Sequence, residues 1–242
     1  MKILVISDVH ANKTALDAVL QEAGEVDATW CLGDIAGYGP DLNECVECIR
    51  SLPNLLCVKG NHDLAISNTD SLYEFNFAAS QAILLSRKVI KPENMSFLEQ
   101  LPETVSNELA TLSHGSPRDP IWEYILDSHV AAENFLEFST PLALVGHSHI
   151  PLAFELNKDG KSIDRRYLLP GTKFTLTGRA ILNPGSVGQP RDNDPRASCG
   201  IFDPEEMTWQ IQRVSYDIAS VQDRIRKAGL PEKHALRLSE GW

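Results

Sequence analysis

The chain has 242 residues, 43% of them hydrophobic, and a formal net charge of −11 at pH 7. Those values suit a single domain over residues 1–242 with a sizeable core, and no apolar run approaches the ~18–20 residues that would cross a bilayer. An acidic surface excludes long nucleic acids, whose binding needs Lys and Arg on the phosphates, but it allows a small phosphate ligand held through metal ions.

In chain order, "KILVIS" reads as a strand. Leu16, Val19, Leu20 and Ala23 form a helical stripe, with Asn12 as its N-cap. "ATWCL" is the second strand. Leu42, Cys45, Val46, Ile49 and Leu52 recur at helical spacing, and Asp41 with Glu44 predicts a capping box. Cys45 and Cys48 stand in C-x-x-C spacing on that helix. No second pair exists, so they read as small buried hydrophobes, not as a redox pair or half a zinc site. "LLCVK" is the third strand. Strand, helix and strand with short connections imply a parallel sheet with right-handed crossovers.

Residues 73–101 read as helical. "ELATLS" and "LALVG" are short strands around a helix over 130–138. From "LAFEL" to "WQIQRVSYD" short strands alternate with Gly, Pro and Asp turns. Ile218, Val221 and Ile225 begin the last helix, closed by Gly229. The expected fold is α/β, with two facing mixed β-sheets flanked by helices. "MKILVISDVH" lacks a signal-peptide apolar region, and five Cys without framework spacing predict a reducing cytoplasm.

The strand exits carry the chemistry. "ILVIS" is followed by Asp8, "WCLG" by Asp34, "LCVKG" by Asn61, "LATLS" by His114 and "LALVG" by His147. Each is an apolar run, one Gly or Ser, then a residue able to bind metal. The small residue allows close approach. The carboxyl ends of strands are where sites assemble in open α/β sheets. His10 and His149 follow two residues after Asp8 and His147, where an extended chain points side chains the same way.

The set is Asp8, His10, Asp34, Asn61, His114, His147 and His149. Mixed O and N donors without thiolate suit Mn, with Fe, Zn, Co or Ni as alternatives, better than Mg or Ca. Seven ligands are too many for one tetrahedral ion and about enough for two that share a carboxylate. Two ions about 3.5–4 Å apart activate a bridging water and clamp the oxygens of an in-line displacement.

In this order D-x-H, G-D, G-N-H-D, H-G and G-H-x-H resemble the calcineurin-like metallophosphoesterases, over Asp8 to His149. "NPGSVGQPRD" and the tail "YDIASVQDRIRKAGLP" are similar to the branch of small prokaryotic phosphodiesterases related to diadenosine tetraphosphatases. The resemblance implies a four-layer sandwich with a metal on Asp8, His10, Asp34 and His149. A second metal would sit on Asp34, Asn61, His114 and His147, with Asp34 bridging. It implies that His62 protonates the leaving group and that Asp63 orients its ring.

The protein Ser/Thr phosphatase branch carries Arg shortly after G-D and just before G-N-H. "GDIAGYGP" and "VKGNHD" have neither. Arg118 and Arg191 are the substitutes that could fork onto phosphate, unless Asp119 and Asp192 pair with them. Trp122 and Tyr124 could stack a nucleobase, although core packing is the commoner fate of such residues. His129 and His234 fall in predicted helices away from the motifs.

The expected activity is that of a phosphodiesterase on small or nucleotide phosphoesters. A phosphomonoesterase on the same centre is the alternative. A non-catalytic scaffold would lack the donor or some ligands, and here every position is filled.

Overall fold

The computed structural model describes residues 1–158, 160 and 162–242. Two six-stranded sheets face each other. The first runs β3 (Leu56–Cys57), β2 (Ala28–Cys31), β1 (Ile3–Ile6), β11 (Ala197–Asp203), β12 (Thr208–Val214), β9 (Lys173–Thr175). The second runs β4 (Thr104–Ser106), β5 (Ala110–Ser113), β6 (Leu142–Leu144), β10 (Ala180–Pro184), β7 (Pro151–Leu156), β8 (Ile163–Tyr167). β1, β2 and β3 are mutually parallel, as are β5, β6 and β10, and the remaining pairings are antiparallel. Both sheets are therefore mixed, as expected.

Strand alternation builds the layers. Ile3 and Val5 face the space between the sheets, with Trp30, Leu112, Leu144 and Phe202. Leu4 and Ile6 face outward onto Leu16 and Val19 of α1 (Lys13–Ala23) and Ile49 of α2 (Leu42–Arg50). On the far side, Val145 and Phe154 meet Ala131 of α6 (Ser128–Asn134), Phe135 and Phe138. The result is helix, sheet, sheet, helix.

Asn12 caps α1 by accepting from the Ala15 amide. The capping box expected on α2 is absent: Asp41 makes no cap bond, and its carboxylate takes the Arg224 guanidinium at 2.9 Å. A charged partner is worth more to a carboxylate than one amide. Cys45 is fully buried in the α1–α2 core and Cys48 lies beside it, both free, as the core-face reading requires.

Residues 73–101 divide into the end of a 3-10 segment (Thr69–Glu74), α4 (Phe77–Val89) and α5 (Pro92–Gln100); α3 (Asn61–Ser67) precedes them. α7 (Ile218–Lys227) ends before Gly229 as expected, but another helix follows, α8 (Glu232–Glu240). Ala235 and Leu238 of α8 pack with Val221 and Ile225 of α7 on Ala82 of α4. No helix among the described residues is long and apolar enough to cross a membrane.

Candidate metal centre

The exits of β1, β2, β3, β5 and β6 meet at one end of the sandwich. All seven expected ligands are buried, between 0% and 5% exposed. Two of the glycines before them leave no room for a side chain. A Cβ on Gly60 would lie 2.0 Å from Asp34 Oδ1, and one on Gly146 would lie 2.0 Å from Ser7 Oγ.

The side chains form two groups. In one, His149 Nε2 lies 3.2 Å from Asp8 Oδ1 and 3.2 Å from His10 Nε2. In the other, His114 Nε2 lies 3.4 Å from Asp34 Oδ2, 3.1 Å from Asn61 Oδ1 and 3.1 Å from His147 Nδ1. Asp34 Oδ2 is also 3.6 Å from His10 Nε2, so one carboxylate oxygen stands between the groups. Its Oδ1 accepts from the His62 amide at 2.9 Å.

Backbone carbonyls set the imidazole tautomers. The Nδ1–H of His10 donates to Ala36 O at 2.9 Å, that of His114 to Leu32 O at 2.8 Å, and that of His149 to Gln189 O at 2.5 Å. Neutral rings held this way turn Nε2 lone pairs inward, which at His114 follows release of the Nε2 proton that Asp34 favours. Lone pairs of His10 and His149 that face each other at 3.2 Å repel unless a cation lies between them. Asp8 Oδ1 is buried and accepts no hydrogen bond. This donor set fits divalent transition ions.

The electrostatics carry the same demand. Burial alone would raise the Asp34 carboxyl, but His114 and His62 hold it well below the usual range. Burial opposes a proton on His114, yet Asp34 lifts that imidazole to about 9. Burial, with His114 beside it, pushes His147 down to about 3. A buried carboxylate pulling a proton onto an imidazole is calling for positive charge, which a cation also supplies.

The pairs Asp8/His10 and His147/His149 do not converge by strand alternation. Asp8 (φ +54°), His10 (+47°), His147 (+62°) and His149 (+60°) are all left-handed, as is Asp34 (+53°). Such residues cost on the order of 1–3 kcal/mol each and collect at functional sites. The coil sends Asp8 and His10 into one group, but His147 and His149 into different ones. The β10 exit supports them: Ser186 Oγ and the Gly188 amide both donate to Asp8 O at 2.9 Å.

His62 lies beside Asp34 and His10, and burial pushes it down to about 4. Asp63 does not orient it. Asp63 Oδ1 accepts from the Ala36 amide at 2.9 Å and Oδ2 from the Gly60 amide at 3.1 Å. The two residues are neighbours on a helix, and adjacent helical side chains diverge. Burial, with Asp34 close by, raises the Asp63 carboxyl to about 7.

Arg118 is not left free for a phosphate, and its partner is not Asp119 either: its guanidinium is clamped by Glu123 and Glu133. Among the described residues no carboxylate pairs with Arg191, because Asp192 is taken by Arg213. Arg191 Nη2 donates to Tyr38 Oη at 3.3 Å and Gln189 Oε1 at 3.2 Å, and its charge helps depress both His62 and His149.

Trp122 and Tyr124 are not core residues. Tyr124 is 45% exposed and stacks on His147 with centroids 3.9 Å apart; Trp122 sits edge-on to Phe75, which meets His62. His129 lies on α6 away from the centre, with its side chain 85% open. His234, expected away from the motifs, is buried 4.6 Å from the Tyr38 ring. Tyr38 belongs to none of the motifs; its signal in the sequence is a bulky residue between two glycines.

Residues 1–207 match the sequence profile of the calcineurin-like phosphoesterase superfamily domain. The chain is 42% identical to the protein MJ0912 of Methanocaldococcus jannaschii, over 99% of this chain and 98% of that one. A crystal structure of a metallophosphoesterase from Sphaerobacter thermophilus is 47% identical, with a TM-score of 0.92 over 100% of this chain and 99% of that one. PH1004 of Pyrococcus horikoshii shares the fold at 21% identity, with a TM-score of 0.81 over 100% and 98% of the two chains.

Proposed function

Because the chain belongs to the calcineurin-like phosphoesterase superfamily, and is thereby a phosphoester hydrolase, we propose that it hydrolyses small phosphoesters at a two-metal centre. Asp8, His10, Asp34 and His149 would hold one ion, and Asp34, Asn61, His114 and His147 the other. The observation that carries this is Asp34 Oδ2, within 3.6 Å of His10 and 3.4 Å of His114, between two sets of inward lone pairs. Bound there, two divalent ions would activate a water and polarise the phosphoryl oxygens. Mn is the first choice for an N/O set of this kind.

His62 is the proton donor to the leaving oxygen in this reading; burial leaves its ring neutral, so it would take up its proton once the anionic ester lies beside it. Its removal should lower kcat by roughly 10²–10⁴ for an alkoxide leaving group and much less for nitrophenolate, which leaves unprotonated. If His62→Ala loses a metal instead, His62 is a ligand and not an acid.

The preference for diesters rests on charge. Two ions, Asp8, Asp34 and an attacking hydroxide leave about one positive charge, which a diester monoanion neutralises. Arg191 adds a second, and that favours the other reading, a phosphomonoesterase acting on a dianion. What supports a diester is the aromatic ground of exposed Tyr124 and half-buried Trp122, suited to a second ester group. A monoester and a diester with the same leaving group, assayed with Mn, decide between them. Monoester preference that is lost in Arg191→Ala supports the monoesterase. Diester preference in both proteins supports the phosphodiesterase. A Mn-loaded protein holding one ion per chain by elemental analysis would sink the dinuclear proposal.

A further inference from the structure

His62 lacks what usually fixes a catalytic imidazole. Its Nδ1 is buried without a hydrogen-bond partner, and the carboxylate next to it in sequence is committed to two amides. Rings hold it instead. Tyr38 meets it edge-on with centroids 4.5 Å apart and an interplanar angle of 65°, the ligand His10 does so at 4.8 Å and 78°, and Phe75 at 4.9 Å and 77°. Edge-to-face contacts of this kind are attractive and set a ring's tilt as well as its place.

Of the two that are not ligands, Tyr38 is the one built in. It is only 7% exposed and takes the left-handed conformation at φ +50°, a genuine outlier for a bulky side chain. The glycines around it leave no freedom. A Cβ on Gly37 would stand 2.3 Å from His62 Nδ1, and one on Gly39 would stand 2.4 Å from His10 O. Behind the ring lies His234 at 4.6 Å, tied by Nε2 to Ala78 O at 3.1 Å, so α8 backs Tyr38 from a separate element. In front, Tyr38 Oη accepts from Arg191 Nη2 at 3.3 Å, and the Arg191 Cζ lies 5.8 Å from the ring centroid.

We infer that Tyr38 is a positioning residue for two groups at once: its ring sets the His62 imidazole at the leaving group, and its hydroxyl sets the Arg191 guanidinium at the phosphate. The inference rests on the proton-donor reading of His62. It makes the two halves of Tyr38 separable by substitution.

Tyr38→Phe keeps the ring and removes the hydroxyl. Its dissociation constant for inorganic phosphate, by calorimetry on Mn-loaded protein, should rise about threefold to tenfold, the worth of one ordinary hydrogen bond, since Arg191 keeps Gln189 as its other acceptor. KM should rise with it, kcat should fall by less, and the dependence on leaving group should stay that of the wild type. Tyr38→Leu removes the ring. It should lower kcat at least tenfold for an alkyl phosphoester and by less than about threefold for the nitrophenyl ester, following His62→Ala. Elemental analysis should still find two Mn per chain.

Equal losses on both esters in Tyr38→Leu, or loss of Mn, would make Tyr38 a structural residue and overturn the first half. Unchanged phosphate affinity in Tyr38→Phe would overturn the second. Should the leucine variant fail to fold, Tyr38→Met tests the ring in its place. A His62→Ala enzyme blind to the leaving group would defeat the proton-donor reading and Tyr38's part in it. A His62→Ala enzyme sensitive to it, beside a Tyr38→Leu enzyme that is not, defeats Tyr38 alone.

Discussion

Two short segments, Pro117-Arg118-Asp119 and Pro190-Arg191-Asp192, are alike in sequence and opposite in fate. Both follow strands whose exits feed the metal centre. Arg118 is neutralised by Glu123 and Glu133, and Asp119 closes the turn by accepting from the amides of Ile121 and Trp122. Arg191 loses its adjacent carboxylate to Arg213 and is left with two neutral acceptors, Tyr38 and Gln189. A guanidinium among neutral acceptors keeps its charge available to an anion; one between two carboxylates does not. The local triplet is the same, so the difference comes from residues outside it, from Glu123 close by to Tyr38 at the far end of the chain.

The largest expected effect is on Arg191. Arg191→Ala should lower kcat/KM for a phosphomonoester by about 10²-fold, the usual worth of a charge-assisted contact to phosphate. The same change at Arg118 should leave kcat/KM within about twofold. Equal losses at the two positions would erase the contrast. Next comes Arg191→Lys, which keeps the charge and loses the fork. An intermediate loss of about tenfold is expected, chiefly in KM. A lysine as good as arginine would mean that charge alone is used.

The last effect is on stability and not on rate, and it belongs to the wall behind Tyr38. Burial pushes the His234 imidazole down to about 4, with its Nδ1 buried and unpartnered. Between that value and the ordinary 6.5, the unfolded chain binds a proton that the folded one refuses, so stability falls as pH falls through this window. The loss from pH 6.5 to 4.5 should be about 2 kcal/mol. Urea titrations of chelated wild type and His234→Gln check it: the variant should show a flatter pH dependence over that window. Parallel profiles would mean that His234 takes its proton in the folded state.

The floor of the site was legible and its walls were not. Asp8, Asp34, Asn61, His114 and His147 each end an apolar strand after one small residue. Burying so many polar groups together is unfavourable without a partner of opposite charge, so the pattern carried its own meaning. The walls depend on which loops meet. Nothing near Asp63 shows that it serves Ala36 and Gly60 instead of His62. Nothing near Tyr124 says that His147 lies under it, and α8 reaches Tyr38 only through its packing on α4 and α7.

The sequence by itself determined the layered α/β architecture, the burial of Cys45 and the identity of the residues gathered at the strand ends. Periodicity, apolar strands and their exits are local properties, and a buried strand leaves its next residue one place to go. Only the tertiary structure decided how those residues divide into two groups around Asp34, which arginine keeps its charge free, and what steadies His62. Left-handed turns at Asp8, His10, His147 and His149 re-aim side chains that strand alternation would have sent elsewhere. The competition of Arg191 and Arg213 for Asp192, and the capture of Arg118 by Glu123 and Glu133, are settled by contacts up to 21 residues apart, which the Pro-Arg-Asp triplet does not encode.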